Sequence, residues 1–117
     1  MNRKVGFTLV ELMVVLAVIA LLLSVVVPDY MGRMKRAEEA VLQENLTVMR
    51  DALDKHYGDA GKYPSNLQDL VAKRYLRAVP ADPFTQSPNT WIAVPPDDPQ
   101  KGGVYDVRSA AKGYERW

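Results

Sequence analysis

Glu11 stands where an acid is expensive. Every residue from Leu12 to Val27 except Ser24 is apolar, and Phe7, Leu9 and Val10 precede the carboxylate. An ionised side chain inside hydrocarbon costs roughly 2.5–3.5 kcal/mol near a bilayer centre and less near its edge, so such acids usually have a partner. No Lys or Arg follows within a helical turn or two. A cut between Gly6 and Phe7 would create a partner, because the new α-amino group of Phe7 would stand four residues from Glu11. Amine and carboxylate could then pair within one chain or between neighbours. A glycine just before the cut suits a protease that needs an extended, uncrowded backbone.

The other chemistry-bearing residues are few. His56 is the sole imidazole and there is no cysteine. That excludes disulfides, zinc ribbons, thiol catalysis and iron–sulfur ligation by this chain. His56 falls near the end of a predicted helix, where a cation suits the helix dipole. Neither a Gly-rich phosphate loop nor a metal-ligand spacing is present. Asp97 and Asp98 could offer oxygens to calcium, but such a site wants about six to eight ligands, and the pair reads as a solvated acidic turn. No set of acids, bases and nucleophiles suggests a catalytic pocket, so the reading is a non-enzyme without a cofactor.

The elements that must position Glu11 come next. At 117 residues the chain has room for one small core. Its 15 Lys+Arg against 14 Asp+Glu give a net charge of +1, too little field to suggest nucleic acid as a partner. Lys73, Arg74 and Arg77 form the one basic cluster weighed, and it reads as a solvated helix face. The N-terminal segment has a short basic start with Arg3 and Lys4. A secretory signal peptide would need a small-x-small cleavage site after the apolar run, and Val25-Val26-Val27-Pro28 is a poor substitute. A single membrane span fits by length: Phe7 to Val27 at about 1.5 Å per residue reaches about 31 Å, against a hydrocarbon core of about 30 Å. Basic residues flank both ends, so the positive-inside rule leaves the orientation open. Only an anchor processed after Gly6 also accounts for Glu11.

Beyond the apolar run, Leu42, Leu46, Met49, Leu53 and Tyr57 recur at helical spacing, flanked by Ala37, Val41, Val48 and Ala52. Arg36, Glu39, Arg50 and Asp54 fall on the opposite, polar face. One helix is therefore expected from Phe7 to about Tyr57, stopped by Gly58-Asp59-Ala60-Gly61. Its apolar stripe should pack on the chain's own globular part. Pro28, with Gly32 after it, marks a kink or a point where the helix loosens.

The remainder reads as a small α+β unit. Ser65 as N-cap with Gln68 three residues on predicts a short helix with Leu67, Leu70 and Val71 on its apolar face, ending near Tyr75-Leu76. Pro80, Pro83 and Pro88 enforce a loop. Trp91–Val94 and Val104–Arg108 are strand candidates joined by a connection too long for a tight turn. The expected architecture is α+β: a long N-terminal helix, its second half packed on a short helix and a small antiparallel sheet.

Two sets of residues resemble a known family. Gly6-Phe7-Thr8-Leu9-Val10-Glu11, after a basic leader and before an apolar run, is similar to the N-terminus of type IV pilins and type II secretion pseudopilins. Gly61-Lys62-Tyr63-Pro64, Leu67, Leu70, Pro80-Ala81-Asp82-Pro83-Phe84 and Val104-Tyr105-Asp106-Val107 look like the G-type major pseudopilin. The resemblance implies a leader 1–6, cleaved by a membrane prepilin peptidase between Gly6 and Phe7, and N-methylation of Phe7. It implies a membrane and filament-core segment 7–27, an amphipathic continuation 28–58 and a periplasmic globular part 59–117. Glu11 is then the acid that docks on a neighbour's Phe7 amine, and Pro28 and Gly32 mark local melting of the helix in the filament. Implied partners are copies of the chain itself, minor pseudopilins, the peptidase/methyltransferase and an inner-membrane assembly platform. The implied product is a pseudopilus in the periplasm that helps export folded proteins. The alternative is a type IV pilin for adhesion, motility or DNA uptake; a monomeric membrane-anchored binding domain is a different class. The resemblance breaks at the end of the chain. The family often has a Gly- and Asp-rich calcium-binding loop after the last strand, whereas here Ser109-Ala110-Ala111-Lys112-Gly113-Tyr114-Glu115-Arg116-Trp117 follows.

Overall fold

The computed structural model describes residues 6–117, so the segment 1–6, expected to be a leader, lies outside the described residues apart from Gly6. Helix α1 runs over Leu9–Ala60 and helix α2 over Leu67–Ala72, followed by strands β1 (Ile92–Val94) and β2 (Asp106–Arg108). A 3₁₀ turn, Pro99–Lys101, lies in the connection between the strands. The strands pair antiparallel, with Ile92 opposite Arg108, Ala93 opposite Val107 and Val94 opposite Asp106. This is the expected α+β order. The chain divides into two compact units, Met1–Arg36 and Ala37–Trp117.

In the first unit the described chain is helical from Leu9 onward, and its apolar side chains are exposed. An 18-residue window of this helix has a mean hydropathy of 3.0 and is 0% buried, so it is long and apolar enough to cross a membrane. The helix starts two residues later than expected, because Phe7 and Thr8 stand outside its first turn. Pro28 lies inside α1, and the helix continues through it and through Gly32. Proline lacks the N–H that the carbonyl of Ser24 would otherwise receive; one turn earlier the Ser24 hydroxyl donates to the Leu21 carbonyl at 2.6 Å.

In the second unit the predicted stripe becomes the core. Leu42, Leu46, Met49 and Leu53 are fully buried, and Ala52, Leu67, Leu70, Leu76, Trp91, Val104 and Val107 pack with them. The flanking line is only partly right. Ala52 is buried, but Ala37, Val41 and Val48 are exposed. Helix α1 ends where Gly61 adopts φ +73° and donates to the Tyr57 carbonyl at 2.8 Å, a left-handed C-cap.

The cap of α2 is shifted one residue from the expected one. Asn66, not Ser65, is the N-cap: its Oδ1 accepts from Asp69 N at 2.9 Å, while Asp69 Oδ2 accepts from Ser65 N at 3.0 Å. Asp69 thus does at the third position what was expected of Gln68, and α2 stops at Ala72, before Tyr75. The two strands are also shorter than the pattern suggested. Their connection instead bonds to the segment after α1: Tyr63 N donates to Lys101 O at 2.6 Å and Val104 N to Pro64 O at 2.9 Å. A Cβ at Gly102 would run into the Tyr63 carbonyl, and one at Gly103 would meet the Ser65 carbonyl oxygen at 2.6 Å. Only glycine permits that approach.

Candidate functional site

At the N-terminal end, Gly6 has no atom within 4 Å of where a Cβ would stand. Nothing in the described chain's packing requires glycine there. Phe7 is 85% exposed. Glu11 is tied to Thr8 in both directions: Glu11 N donates to Thr8 Oγ1 at 3.1 Å, and Thr8 N donates to Glu11 Oε2 at 3.4 Å. This is a capping box, in which the N-cap hydroxyl and the acid three residues on satisfy each other's amides. The Thr8-x-x-Glu11 spacing carries that signal in the sequence itself. The box is loose, since 3.4 Å lies beyond the usual N–H···O range. Glu11 therefore has a local role in one chain and retains an oxygen for an amine.

His56 lies near the end of α1, where its position put it, but it is buried. It is 2% exposed, its Nδ1 lies 2.6 Å from the Lys62 carbonyl and its Nε2 faces Lys73 Nζ at 3.2 Å. A histidine locked to a carbonyl in a core has no access to a substrate.

Asp97 and Asp98 are exposed in the connection between β1 and β2, and Asp98 Oδ1 caps the 3₁₀ turn by accepting from Gln100 N at 3.0 Å. They line an open cavity of about 310 Å³ with Tyr57, Tyr63, Tyr105 and Lys101. Tyr63 stacks on Tyr57 at 4.5 Å and meets Tyr105 edge-on at 5.4 Å. Burial, then the charge of Asp54, raises the Tyr63 phenol above its ordinary value of 10.0. Among the described residues, no group of three or more His, Cys, Asp or Glu could hold a metal ion. Asp97 and Asp98 supply two carboxylates beside Lys101, fewer side-chain oxygens than the roughly six to eight ligands calcium takes.

The Asp-Pro-aromatic loop is anchored from within. Asp82 is fully buried; its Oδ1 accepts from Phe84 N at 2.8 Å and its Oδ2 from the Ser109 hydroxyl. That fixes Phe84 to stack on Tyr114 at 4.2 Å, and Tyr114 in turn donates to Glu39 Oε1 at 2.9 Å. Burial, then this hydrogen bond and the charges of Glu39 and Glu38, raises the Tyr114 phenol. The face of α1 expected to be solvated is thus partly covered: Glu39 and Arg50 bind the end of the chain. Sequence reading missed both, because Arg50 meets Asp106 at a separation of 56 residues and no local pattern encodes such a pair.

A family model described as "Prokaryotic N-terminal methylation motif" matches residues 1–27. Curated relatives match over most of the chain. Type II secretion system core protein G of Escherichia coli (strain K12) is 30% identical over 125 residues, covering 93% of this chain and 82% of the relative. The protein of the same name from Aeromonas hydrophila is 32% identical over 108 residues, covering 92% and 75%. That of Vibrio cholerae is 30% identical over 130 residues, covering 98% and 86%. No solved structure matches the chain.

Proposed function

The chain belongs to the type II secretion system core protein G family, and from that premise we propose that it is a pseudopilin. It polymerises through its N-terminal helix into a periplasmic pseudopilus that helps export folded proteins across the outer membrane. The observation that carries this reading is the similarity over nearly the whole chain, joined to a first part of α1 whose apolar side chains, from Leu9 to Val27, are exposed.

In this reading the precursor sits in the inner membrane with its globular part in the periplasm. A prepilin peptidase cuts between Gly6 and Phe7 and a methyltransferase modifies Phe7, so the chain is a substrate of enzymes and not one itself. The open space around Gly6 supports the cut, because the glycine there serves no packing need of this chain. Apolar side chains of 7–27 pack among neighbours, and the Phe7 amine of one subunit pairs with Glu11 of the next. An unpaired acid in that core is costly, so the pair selects the axial register. A head-to-tail contact that does not close into a ring gives a helical filament. Pro28 and Gly32 are where the helix loosens as subunits pack, since Pro28 already lacks one ladder hydrogen bond. Partners are further copies of the chain, minor pseudopilins and the inner-membrane assembly platform; no cofactor and no nucleic acid take part.

The test compares culture supernatants of wild type and a deletion strain, with periplasmic levels as control. Hydrolases missing outside and accumulating in the periplasm are expected. An unchanged supernatant overturns the secretion role and leaves a type IV pilus as the reading to pursue.

A further inference from the structure

The oxygens that a cation would collect at the end of this chain are already held by a side chain of α1. Arg50 Nε donates to Asp106 Oδ1 at 2.8 Å, and Arg50 Nη2 donates to the Val107 carbonyl at 3.1 Å and to the main-chain oxygen of Trp117 at 3.0 Å. The pair is half-buried, with side chains 31% and 24% exposed. One guanidinium therefore joins the helix, β2 and the segment that follows β2. The acid of that segment, Glu115, is also engaged, accepting from Gly113 N at 3.0 Å.

One carboxylate and two main-chain oxygens are the donor types that calcium gathers. Here a planar, permanently charged fork gathers them instead. The adjoining cavity, about 420 Å³, is lined by Arg50, Arg108 and Arg116 against Asp54 and Asp106. The three guanidiniums offset the carboxylates around it, so no surplus of negative charge is left to hold a divalent ion. The calcium site implied by the family resemblance does not fit these residues.

We propose that Arg50 is a built-in substitute for a bound cation, so that the C-terminal segment of this protein is ordered without calcium. Lysine cannot replace it, because an ammonium is a point charge without the fork that reaches a carboxylate and two carbonyls at once. The proposal goes beyond the secretion reading and stands or falls apart from it.

The experiment uses the full chain in detergent micelles. Trp91 and Trp117, the only tryptophans, both lie in Ala37–Trp117, so their fluorescence follows that unit. Wild-type Tm is expected to be the same in millimolar calcium chloride and in EGTA, whereas a site at one hundred times its Kd would raise it by about 10 °C or more. Arg50→Met is expected to lower Tm by about 5–15 °C and to speed tryptic cutting at Lys112 and Arg116. Arg50→Lys should recover less than half of the loss. A calcium-dependent rise in wild-type Tm overturns the proposal, as does an Arg50→Met chain that melts and is cut like wild type. If Arg50→Met does not fold, the wild-type calcium titration and Arg50→Lys still decide the matter, and Arg50→Lys behaving as wild type overturns the fork argument.

Discussion

Glu11→Gln separates the two roles that the structure leaves to this acid. Glutamine keeps the capping box, because its carbonyl oxygen can still accept from Thr8 N, but it removes the charge. The capping bond is long, 3.4 Å, so losing it costs about 1 kcal/mol or less. An amine–carboxylate pair about 4 Å apart at an effective dielectric of about 20 contributes about 4 kcal/mol. That is on the order of a thousandfold in subunit association. Docking by charge therefore predicts that Glu11→Gln and Glu11→Ala lose filaments alike, with membrane insertion and cleavage intact. Thr8→Ala, which removes only the cap, should assemble at close to the wild-type level. The assay is the fraction of subunit that chemical cross-linking in whole cells of the complemented deletion strain traps as multimers, beside total subunit in the membrane. Wild-type filament yield from Glu11→Gln would refute the charge argument and leave Glu11 as a helix cap.

Gly6→Glu is expected to block processing, read as uncut precursor by intact mass; a normally trimmed chain would place the cut elsewhere. Gly102→Ala should destabilise the second unit by about 2 kcal/mol or more, since φ is +124° and its Cβ would meet the Tyr63 carbonyl; an unchanged Tm would contradict that packing. Leu46→Ala should cost about 2–5 kcal/mol, as a fully buried core leucine, measurable in urea. Tyr75 is held above its ordinary value of 10.0 by its hydrogen bond to Asp59, then by burial and by the charge of Asp59. The neutral phenol is thus the folded form. Its contribution is complete below pH 10.0 and is lost as pH rises through the higher folded value. Tyr75→Phe should lower Tm at neutral pH and narrow its gap to wild type above that point, and parallel profiles would contradict the assignment.

What was legible in the sequence was what repeats locally. Leu42, Leu46, Met49 and Leu53 follow the helical period, and all four are fully buried. The Trp91–Val94 and Val104–Arg108 patterns located both strands but overran their ends; at the start of the second, the backbone is taken by another partner, since Val104 N donates to the Pro64 carbonyl at 2.9 Å. The one-residue slip at α2 came from two adjacent capping residues, Ser65 and Asn66, each with a polar residue three positions on. Periodicity could not show that Glu39 and Arg50, which look solvated on a helical wheel, are claimed by Tyr114, Asp106, Val107 and Trp117. Nor could it show that Asp82 is the buried anchor of its loop. Those are long-range pairs, and only the closed fold brings them together.

Polymerisation through the N-terminal helix is the central claim, and the absence of cysteine from the chain makes it directly measurable. Cysteines placed at Leu16 and Ile19, both exposed in the apolar window, should cross-link neighbouring subunits in whole cells under oxidation. A ladder of dimers, trimers and longer species that disappears when the prepilin peptidase is absent is the predicted result. Monomer alone, or dimer without a ladder, in cells that process the chain would contradict it.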